Sequence, residues 1–256
     1  MCALPDDVKK KYDISSIRGV LAGASKWSYA LKLEYRETFP EHTMWEVYGS
    51  TELASNTVME PDEHWGRPES CGRAIDGVEI QLRDEGGNVV EKPNERGVVW
   101  VRSPFARGFV GYDGDPDASA GAVDGDWRSV GDVAYFDEDR FYYICDRVKD
   151  MVVSGGVNVF PAEVEAVIDS YPGVHENAVF GVPDDTWGER VHAVVVPKEN
   201  AELDAESIIA YCRTHLASHK VPRSIDFIDE LPHTVSGKIL KREVRNKYWE
   251  KADRLI

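Results

Sequence analysis

Cysteine is scarce in this chain: four occur among 256 residues, and none stands in a CxxC pair or near a histidine at metal-ligand spacing. Neither a zinc site nor a disulfide framework is therefore indicated, and a reducing cytoplasm is the simpler setting. Basic charge is also limited, because 30 Lys and Arg residues face 46 Asp and Glu residues and the formal net charge is −16. Such an excess repels nucleic-acid phosphates and anionic lipid, so neither is an expected partner.

Long apolar runs are missing as well. No window approaches the roughly 18 uninterrupted apolar residues of a transmembrane segment, and the first ten residues lack the apolar stretch of a secretion signal. Of all residues in the chain, 42% are hydrophobic and 10% are aromatic. This is enough for one large domain or two modest ones with real cores, so we expect a soluble, folded protein.

The first part of the chain alternates between apolar runs and a helical pattern. Gly19–Leu21 and Met44–Tyr48 are short apolar runs, and between them Leu31, Leu33 and Tyr35 have helical spacing. This predicts a strand–helix–strand unit that ends at a polar loop. Residues 77–143 instead contain short alternating runs separated by Gly, Asp and Asn turns, which predict an antiparallel sheet or a small barrel.

The last hundred residues have the pattern of a compact α+β unit. The predicted elements are a helix at Pro161–Tyr171, strands at Ala178–Val182 and Val191–Val196, a helix at Ala205–Leu216, a strand near Ile225–Ile228 and a helix from Leu240 to about Lys251. We therefore expect two domains, 1–149 and 150–256, the first divided into an αβ sheet part (1–75) and a β-rich part (76–149). The boundary would be a short hinge.

Polar residues follow the second predicted strand. The segment Tyr48–Glu52 lies where that strand ends, and ligands usually bind at the carboxyl edge of an α/β sheet. The hydroxyl of Thr51 and the carboxylate of Glu52 could hold a phosphate and its magnesium ion. An ordinary polar turn is the alternative.

A second pair of polar residues flanks a predicted hairpin. Asp132 precedes one strand and Arg147 follows the next, so the hairpin would bring both side chains to the same end. An aspartate beside an arginine suits the recognition of ribose hydroxyls. The alternative is a surface salt bridge, which contributes only about 0–1 kcal/mol.

A lysine lies in a glycine-containing loop before the last predicted helix. Within Ser236-Gly237-Lys238, the ammonium could reach a carboxylate or phosphate as negative charge develops. The loop is not a Walker motif, because Pro232 and Ile239 stand where that motif requires glycine and a hydroxyl residue. The alternative is a solvated lysine within a basic run.

Six short motifs follow one another along the chain. They are YGxTE at Tyr48–Glu52, GY…DP at Gly111–Pro116, GD at Gly131–Asp132, RxKD at Arg147–Asp150, SGGxNxxPxEVE at Ser154–Glu165 and P-x-T-x-S-G-K at Pro232–Lys238. Taken in this order, they resemble the adenylate-forming (AMP-binding) superfamily, which includes acyl-CoA synthetases, luciferases and the adenylation domains of peptide synthetases. One motif could arise by chance, but six in the right order make chance a poor explanation.

The resemblance implies an α/β plus α+β fold. The chain would hold the C-terminal part of the large adenylate-forming domain, with an αβ sheet and a small β-barrel-like subdomain, followed by a small mobile α+β domain. The implied reaction is that of an ATP-dependent carboxylate–CoA ligase, which converts a small carboxylate first to an acyl-adenylate and then to an acyl-CoA. ATP, Mg²⁺ and CoA are the implied cofactors and co-substrates.

The resemblance also assigns roles by position. Gly23, Ala24 and Ser25 would line the adenine pocket with Tyr48 and Gly49 nearby, Thr51 would contact the α-phosphate, Glu52 would hold magnesium, and Asp132 and Arg147 would bind the ribose hydroxyls. Lys238 would stabilise the charge that develops during adenylation, Lys149 would be the hinge, and the Gly155-Gly156 loop would lie against the CoA thiol channel after the small domain rotates.

The sequence departs from the family pattern in three places. Val130 replaces a usual threonine, His233 replaces a common arginine, and only 17 residues precede residue 18 where the Ser/Thr/Gly-rich loop for the β- and γ-phosphates is expected upstream. We therefore expect this chain to be incomplete as a ligase. The alternatives are a non-catalytic adenylate-binding module or one half of a split enzyme whose amino-terminal half is supplied by another chain.

Overall fold

The computed structural model of the chain describes residues 4–23, 27, 29–235 and 237–250. The chain divides into two compact units, Met1–Ile144 and Cys145–Ile256. The division falls within a strand, a few residues before the hinge that the sequence predicts at Lys149. The division into domains 1–149 and 150–256 stays a prediction. Within the described parts of the chain, every helix is too short or too polar to cross a membrane.

The first sheet of the first unit has four strands. Its elements are α1 (Asp6–Lys9), β1 (Val20–Ala22), α2 (Tyr29–Thr38), β2 (Met44–Ser50), β3 (Ala54–Met59) and β4 (Arg73–Ala74). The strands β1 and β2 pair in parallel across the α2 crossover, whereas β2–β3 and β3–β4 are antiparallel. The predicted strand–helix–strand unit is confirmed. The chain then continues from β2 directly into β3, so the predicted polar loop is a short hairpin turn.

The buried face of α2 differs from the one that its apolar residues predict. Leu33 is 40% exposed, whereas Lys32 and Tyr35 are 1% and 3% exposed. Lys32 tolerates burial because its Nζ lies 2.6 Å from Glu46 Oε2 on β2 and donates to the Pro68 carbonyl at 2.8 Å. A hydrophobic pattern cannot show such a pair, because each charge is acceptable inside only when the other is present.

A buried histidine lies beside this ion pair. His64 is fully buried, its Nε2 lies 3.2 Å from the Met44 carbonyl oxygen, and its Nδ1 lies 3.9 Å from Glu46 Oε2. Burial and the positive charge of Lys32 lower the pKa of His64 from 6.5 to about 4. The imidazole is therefore neutral at pH 7.

The second sheet of the first unit contains antiparallel strand pairs. Its elements are β5 (Glu79–Arg83), β6 (Gly97–Arg102), α3 (Pro116–Gly121), β7 (Val123–Asp124), β8 (Trp127–Arg128), β9 (Asp132–Phe136) and β10 (Tyr142–Arg147). The strand order is β10-β9-β6-β8-β7, with β5 also paired to β6. Alternate residues such as Val99 and Val101 enter a core shared with Leu53, Leu82 and Phe136. The predicted antiparallel sheet is confirmed, whereas α3, β7 and β8 were not predicted.

The second unit is built around one long hairpin. Its elements are β11 (Val152–Ser154), β12 (Val157–Val159), α4 (Pro161–Asp169), β13 (Val174–Asp184), β14 (Gly188–Pro197), α5 (Ala205–His215), β15 (Ser224–Phe227) and α6 (Lys241–Glu250). The sheet order is β12-β11-β14-β13, and β15 pairs in parallel with β14. This confirms the predicted α+β order, although β13 and β14 are longer than predicted and the β11–β12 hairpin was not predicted.

Both faces of the long hairpin are buried. Val179 and Ala193 belong to the cluster that contains the apolar residues of α4 and α5, whereas the neighbouring Ala178 and Val194 belong to the cluster with Val244 of α6. Because successive strand residues point to opposite faces, covering both faces requires continuous apolar runs rather than alternation. The sequence has such runs in both strands.

Candidate functional site

The Tyr48–Glu52 segment forms the end of β2 and the turn into β3. The register of the hairpin shifts between Tyr48 and Gly49, and a Cβ atom at Gly49 would lie 2.0 Å from the Ala54 carbonyl oxygen. Only glycine therefore allows the two strands to approach this closely. Thr51 and Glu52 occupy the turn, where the Thr51 side chain is exposed and the Glu52 side chain is partly buried.

Two motifs that are far apart in sequence meet through Tyr48. Its hydroxyl donates to Asp132 Oδ2 at 2.7 Å, although the two residues are 84 positions apart. Asp132 opens β9 and is 6% exposed. The turn before it uses Gly131 at a φ of +76°, which non-glycine residues rarely adopt. The Tyr48 hydroxyl thus fixes one carboxylate oxygen of Asp132 beside the end of β2.

The carboxylate of Glu52 meets a third motif. The hydroxyl of Tyr112 donates to Glu52 Oε1 at 2.9 Å. Among the described residues, no group of three or more His, Cys, Asp or Glu side chains comes together as a metal cluster. A single carboxylate nevertheless fits magnesium, because this ion usually keeps several waters and takes one or two carboxylates together with substrate phosphates. Sequence analysis did not assign a role to Tyr112, although its Gly-Tyr motif was the available signal.

Part of the predicted adenine pocket can be located. Gly23 directly follows β1, and a Cβ atom there would lie 3.1 Å from Val47 Cγ2 of the neighbouring strand β2. Gly23 and Gly49 therefore flank the β1–β2 pair at its carboxyl end. Ala24 and Ser25, which were predicted to line the same pocket, lie outside the described residues.

The remaining predicted site residues belong to the second unit. Arg147 ends β10, Lys149 lies exposed in the 3-10 turn Val148–Asp150, and Gly155-Gly156 form the exposed turn between β11 and β12. Since Asp132 and Arg147 belong to different units, their joint role at the ribose stays a prediction, as does the hinge role of Lys149. The Gly155 N–H donates to the Trp187 carbonyl at 2.9 Å, and a Cβ atom on Gly155 would lie 2.4 Å from the Trp187 ring. This close packing explains glycine at residue 155.

Lys238 lies on a short hairpin loop rather than on an open segment. The backbone of Thr234 donates to the Lys238 carbonyl at 2.8 Å, and the Lys238 N–H donates to Thr234 Oγ1 at 3.1 Å. Ile239 bridges His233 in antiparallel fashion. The Lys238 side chain is exposed, while Ser236 lies outside the described residues. The backbone of Lys238 is therefore held by two hydrogen bonds to Thr234, while its ammonium is exposed.

Two parts of the chain match known enzyme families. The model for the AMP-binding enzyme family matches residues 2–112, and the model for the AMP-binding enzyme C-terminal domain matches residues 163–238. A feruloyl-CoA synthase from Amycolatopsis sp is 39% identical over 92% of this chain and 47% of its own length. A 2-succinylbenzoate–CoA ligase from Geobacillus kaustophilus (strain HTA426) is 39% identical over 79% of this chain and 41% of its own length.

Solved structures give the same result. The amide bond synthetase McbA from Marinactinospora thermotolerans matches 96% of this chain and 50% of its own with a TM-score of 0.86 and 34% identity. The o-succinylbenzoate CoA synthetase from Bacillus subtilis, in complex with its acyl-adenylate intermediate, matches 93% of this chain and 48% of its own with a TM-score of 0.81 and 31% identity. The chain thus spans about half the length of the curated relatives that it matches. On the matched domains, the ordered motifs and the shared fold, this chain belongs to the adenylate-forming, AMP-binding enzyme superfamily.

Proposed function

We propose that this chain serves in an ATP-dependent carboxylate–CoA ligase. The observation that carries the proposal is the pair of contacts that join three motifs, Tyr48 to Asp132 and Glu52 to Tyr112. These contacts hold two carboxylates at the end of β2, where a nucleotide with its magnesium ion would need them. The relatives named as CoA synthases and ligases support the choice of thiol acceptor.

The first step joins the substrate to AMP. A carboxylate oxygen of the acid attacks the α-phosphorus of ATP, and the bond to the β-phosphate oxygen breaks so that pyrophosphate leaves. Thr51 and Lys238 would act on this step, the hydroxyl by donating to an α-phosphate oxygen and the ammonium by stabilising the negative charge. Glu52 would hold magnesium, which supplies a positive charge to the phosphates.

The second step transfers the acyl group. The thiol of CoA gives its proton to water, the sulfur attacks the acyl carbon, and AMP leaves with the electron pair of the broken bond. Asp132 and Arg147 would bind the ribose hydroxyls in both steps, and Gly23 would let the adenine ring approach the backbone of the chain. The exposed Gly155-Gly156 turn would lie along the path of the thiol.

A second candidate has an amine rather than a thiol as the acyl acceptor. It is favoured by the likeness to the amide bond synthetase, which has a TM-score of 0.86. Both candidates share adenylate formation and differ only in the group that attacks the acyl carbon. The acceptor therefore has to be tested separately from the first step.

The test uses the protein as its natural host produces it. Aromatic, polycyclic and fatty acids are supplied singly, ATP–pyrophosphate exchange is measured, and products are then analysed with CoA or with an amine as acceptor. Exchange followed by thioester formation supports the proposal, and exchange followed only by amide formation supports the second candidate. AMP or adenylate binding without exchange for any acid would instead indicate a non-catalytic module.

Lys238→Ala gives the test its residue-level control. If the ammonium stabilises the developing charge, exchange falls about 100- to 1,000-fold. Thioester formation from chemically prepared acyl-adenylate is retained, because that step does not need the same charge. Lys247→Ala is the matched control, since Lys247 is an exposed lysine on α6 and takes no part in either proposed step.

A further inference from the structure

The stem of the Lys238 loop is fixed at its exit by a largely buried ion pair. The last loop residue, Leu240, donates its N–H to the Pro232 carbonyl at 2.8 Å, and Lys241 begins α6 immediately afterwards. The Nζ of Lys241 lies 2.7 Å from Glu165 Oε1 and donates to Glu165 Oε2 at 2.8 Å. The Lys241 and Glu165 side chains are only 26% and 15% exposed. The start of α6 is therefore tied to α4.

The carboxylate that receives Lys241 is itself held by the sheet. Glu165 Oε1 accepts the backbone N–H of Val179 on β13 at 2.7 Å. A carboxylate with one oxygen on the sheet and both oxygens on the ammonium has little freedom to move. The exit of the Lys238 loop is thus connected through two side chains to the most buried strands of the unit.

Lys241 also interacts electrostatically with a second, partly buried acid, Asp146. Asp146 accepts the N–H of Ala162 at 2.8 Å and the N–H of Arg147 at 2.8 Å. Burial raises the pKa of Asp146 and of Glu165, and the positive charge of Lys241 opposes that rise in both. Although burial alone would lower the pKa of Lys241, its carboxylate neighbours raise it overall, with Glu165 the larger contributor. The Lys241 ammonium therefore offsets the negative charge of two partly buried carboxylates.

We propose that Lys241, paired with Glu165, is the positioning residue for Lys238: the pair holds the loop exit so that the Lys238 ammonium meets the reacting phosphate during adenylation. This role rests on the proposed function, because it needs Lys238 to act in the first step. Lys241 and Lys238 are three residues apart and have different tasks. Lys238 is exposed and available to a substrate, whereas Lys241 is engaged inside the unit.

The test compares substitutions at the pair in the protein as its host produces it. Lys241→Gln removes the charge, and Glu165→Gln removes the opposite charge while keeping an oxygen for the Val179 N–H. A loop displaced by about 1 Å loses on the order of 100-fold in rate. We expect ATP–pyrophosphate exchange to fall by this factor in kcat in both variants, with the KM for ATP little changed. Thioester formation from supplied acyl-adenylate should continue at the unsubstituted rate.

Two further variants separate positioning from folding. Lys241→Arg keeps a cation that can reach both carboxylate oxygens and should restore most of the exchange activity. Lys247→Gln removes a lysine from the exposed side of the same helix and should change neither half-reaction. In Lys241→Gln, hydrogen exchange should accelerate at the amides of Thr234, Gly237 and Leu240, which donate within the loop, and stay unchanged at the β13–β14 ladder.

The outcomes distinguish this inference from the proposed function. Three results would each overturn the positioning role alone. They are ATP–pyrophosphate exchange at the full rate in Lys241→Gln, equal losses of rate in both half-reactions, and accelerated hydrogen exchange of amides throughout the unit. Lack of exchange in the unsubstituted protein with every acid would overturn the proposed function, and the positioning role with it. Selective loss of adenylation, rescued by arginine, establishes the role.

Discussion

Replacing Lys32 with methionine should destabilise the first unit far more than a typical lysine substitution. Lys32 is 1% exposed, Glu46 is 7% exposed, and their charged atoms lie 2.6 Å apart. Methionine fills similar space but provides no charge, so the Glu46 carboxylate is left in the interior without a counter-ion, and the Pro68 carbonyl loses its donor. Breaking a buried pair in this way costs about 3–5 kcal/mol of unfolding free energy.

The chain offers an exposed pair for comparison. Lys92 and Glu95 lie 3.7 Å apart, but their side chains are 80% and 55% exposed. Water solvates both charges there, so Lys92→Met should cost about 0–1 kcal/mol. The difference between the two substitutions measures the effect of burial, because both remove a lysine from an ion pair in the same unit.

Urea unfolding followed by tryptophan fluorescence gives the free energies. The double variant Lys32→Met/Glu46→Met should recover much of the loss, because it removes the isolated carboxylate as well as its partner. Two results would refute the reasoning. One is a Lys32→Met loss no larger than that of Lys92→Met, and the other is a double variant whose loss equals the sum of the single losses.

Two further predictions concern the same unit. The pKa of His64 is about 4 in the folded protein, below its unfolded value of 6.5. The contribution of His64 to the free energy of unfolding is therefore complete above pH 6.5 and is lost as the pH falls through 4. Urea unfolding between pH 7 and pH 4 should show about 3 kcal/mol of this loss in the unsubstituted protein and not in His64→Gln. Gly49→Ala should lower the thermal midpoint by the equivalent of about 1–3 kcal/mol, since its Cβ would lie 2.0 Å from the Ala54 carbonyl oxygen. Gly66→Ala, where no atom lies within 4 Å of the new Cβ, should leave the midpoint unchanged, and equal midpoints for both variants would contradict the packing argument.

The elements that sequence analysis located best are those with local signals. Pro161 opens α4 and Pro172-Gly173 follows its end, and the predicted strands Ala178–Val182 and Val191–Val196 lie within β13 and β14. Each signal acts within a few residues, through a fixed φ, a helix breaker or a hydrophobic period. By contrast, β7 and β8 are two residues each, too short for a period to be recognised.

The parts of the site that were not predicted depend on long-range contacts. The motifs indicated Tyr48, Glu52 and Asp132 individually, but the hydrogen bond of Tyr48 to Asp132 spans 84 positions and that of Tyr112 to Glu52 spans 60. Lys241 and Glu165 lie 76 positions apart, and Lys241 has the sequence context of a solvated lysine, since Arg242 and Arg245 follow it. A charged residue has the same local signature whether it is solvated or paired inside, so its partner appears only once the chain is folded.

Side chains of α4 and α6 also cover an outer strand of the second unit. The strand β13 ends the described sheet order, and an outer strand normally offers unpaired N–H and C=O groups to any extended chain that approaches. Here the Val179 N–H is donated to Glu165, and the Gly181 carbonyl accepts the indole N–H of Trp249 at 3.0 Å. Side chains of α4 and α6 thus occupy hydrogen-bonding positions that a foreign strand would require. The same two helices therefore protect the second unit from edge-to-edge aggregation.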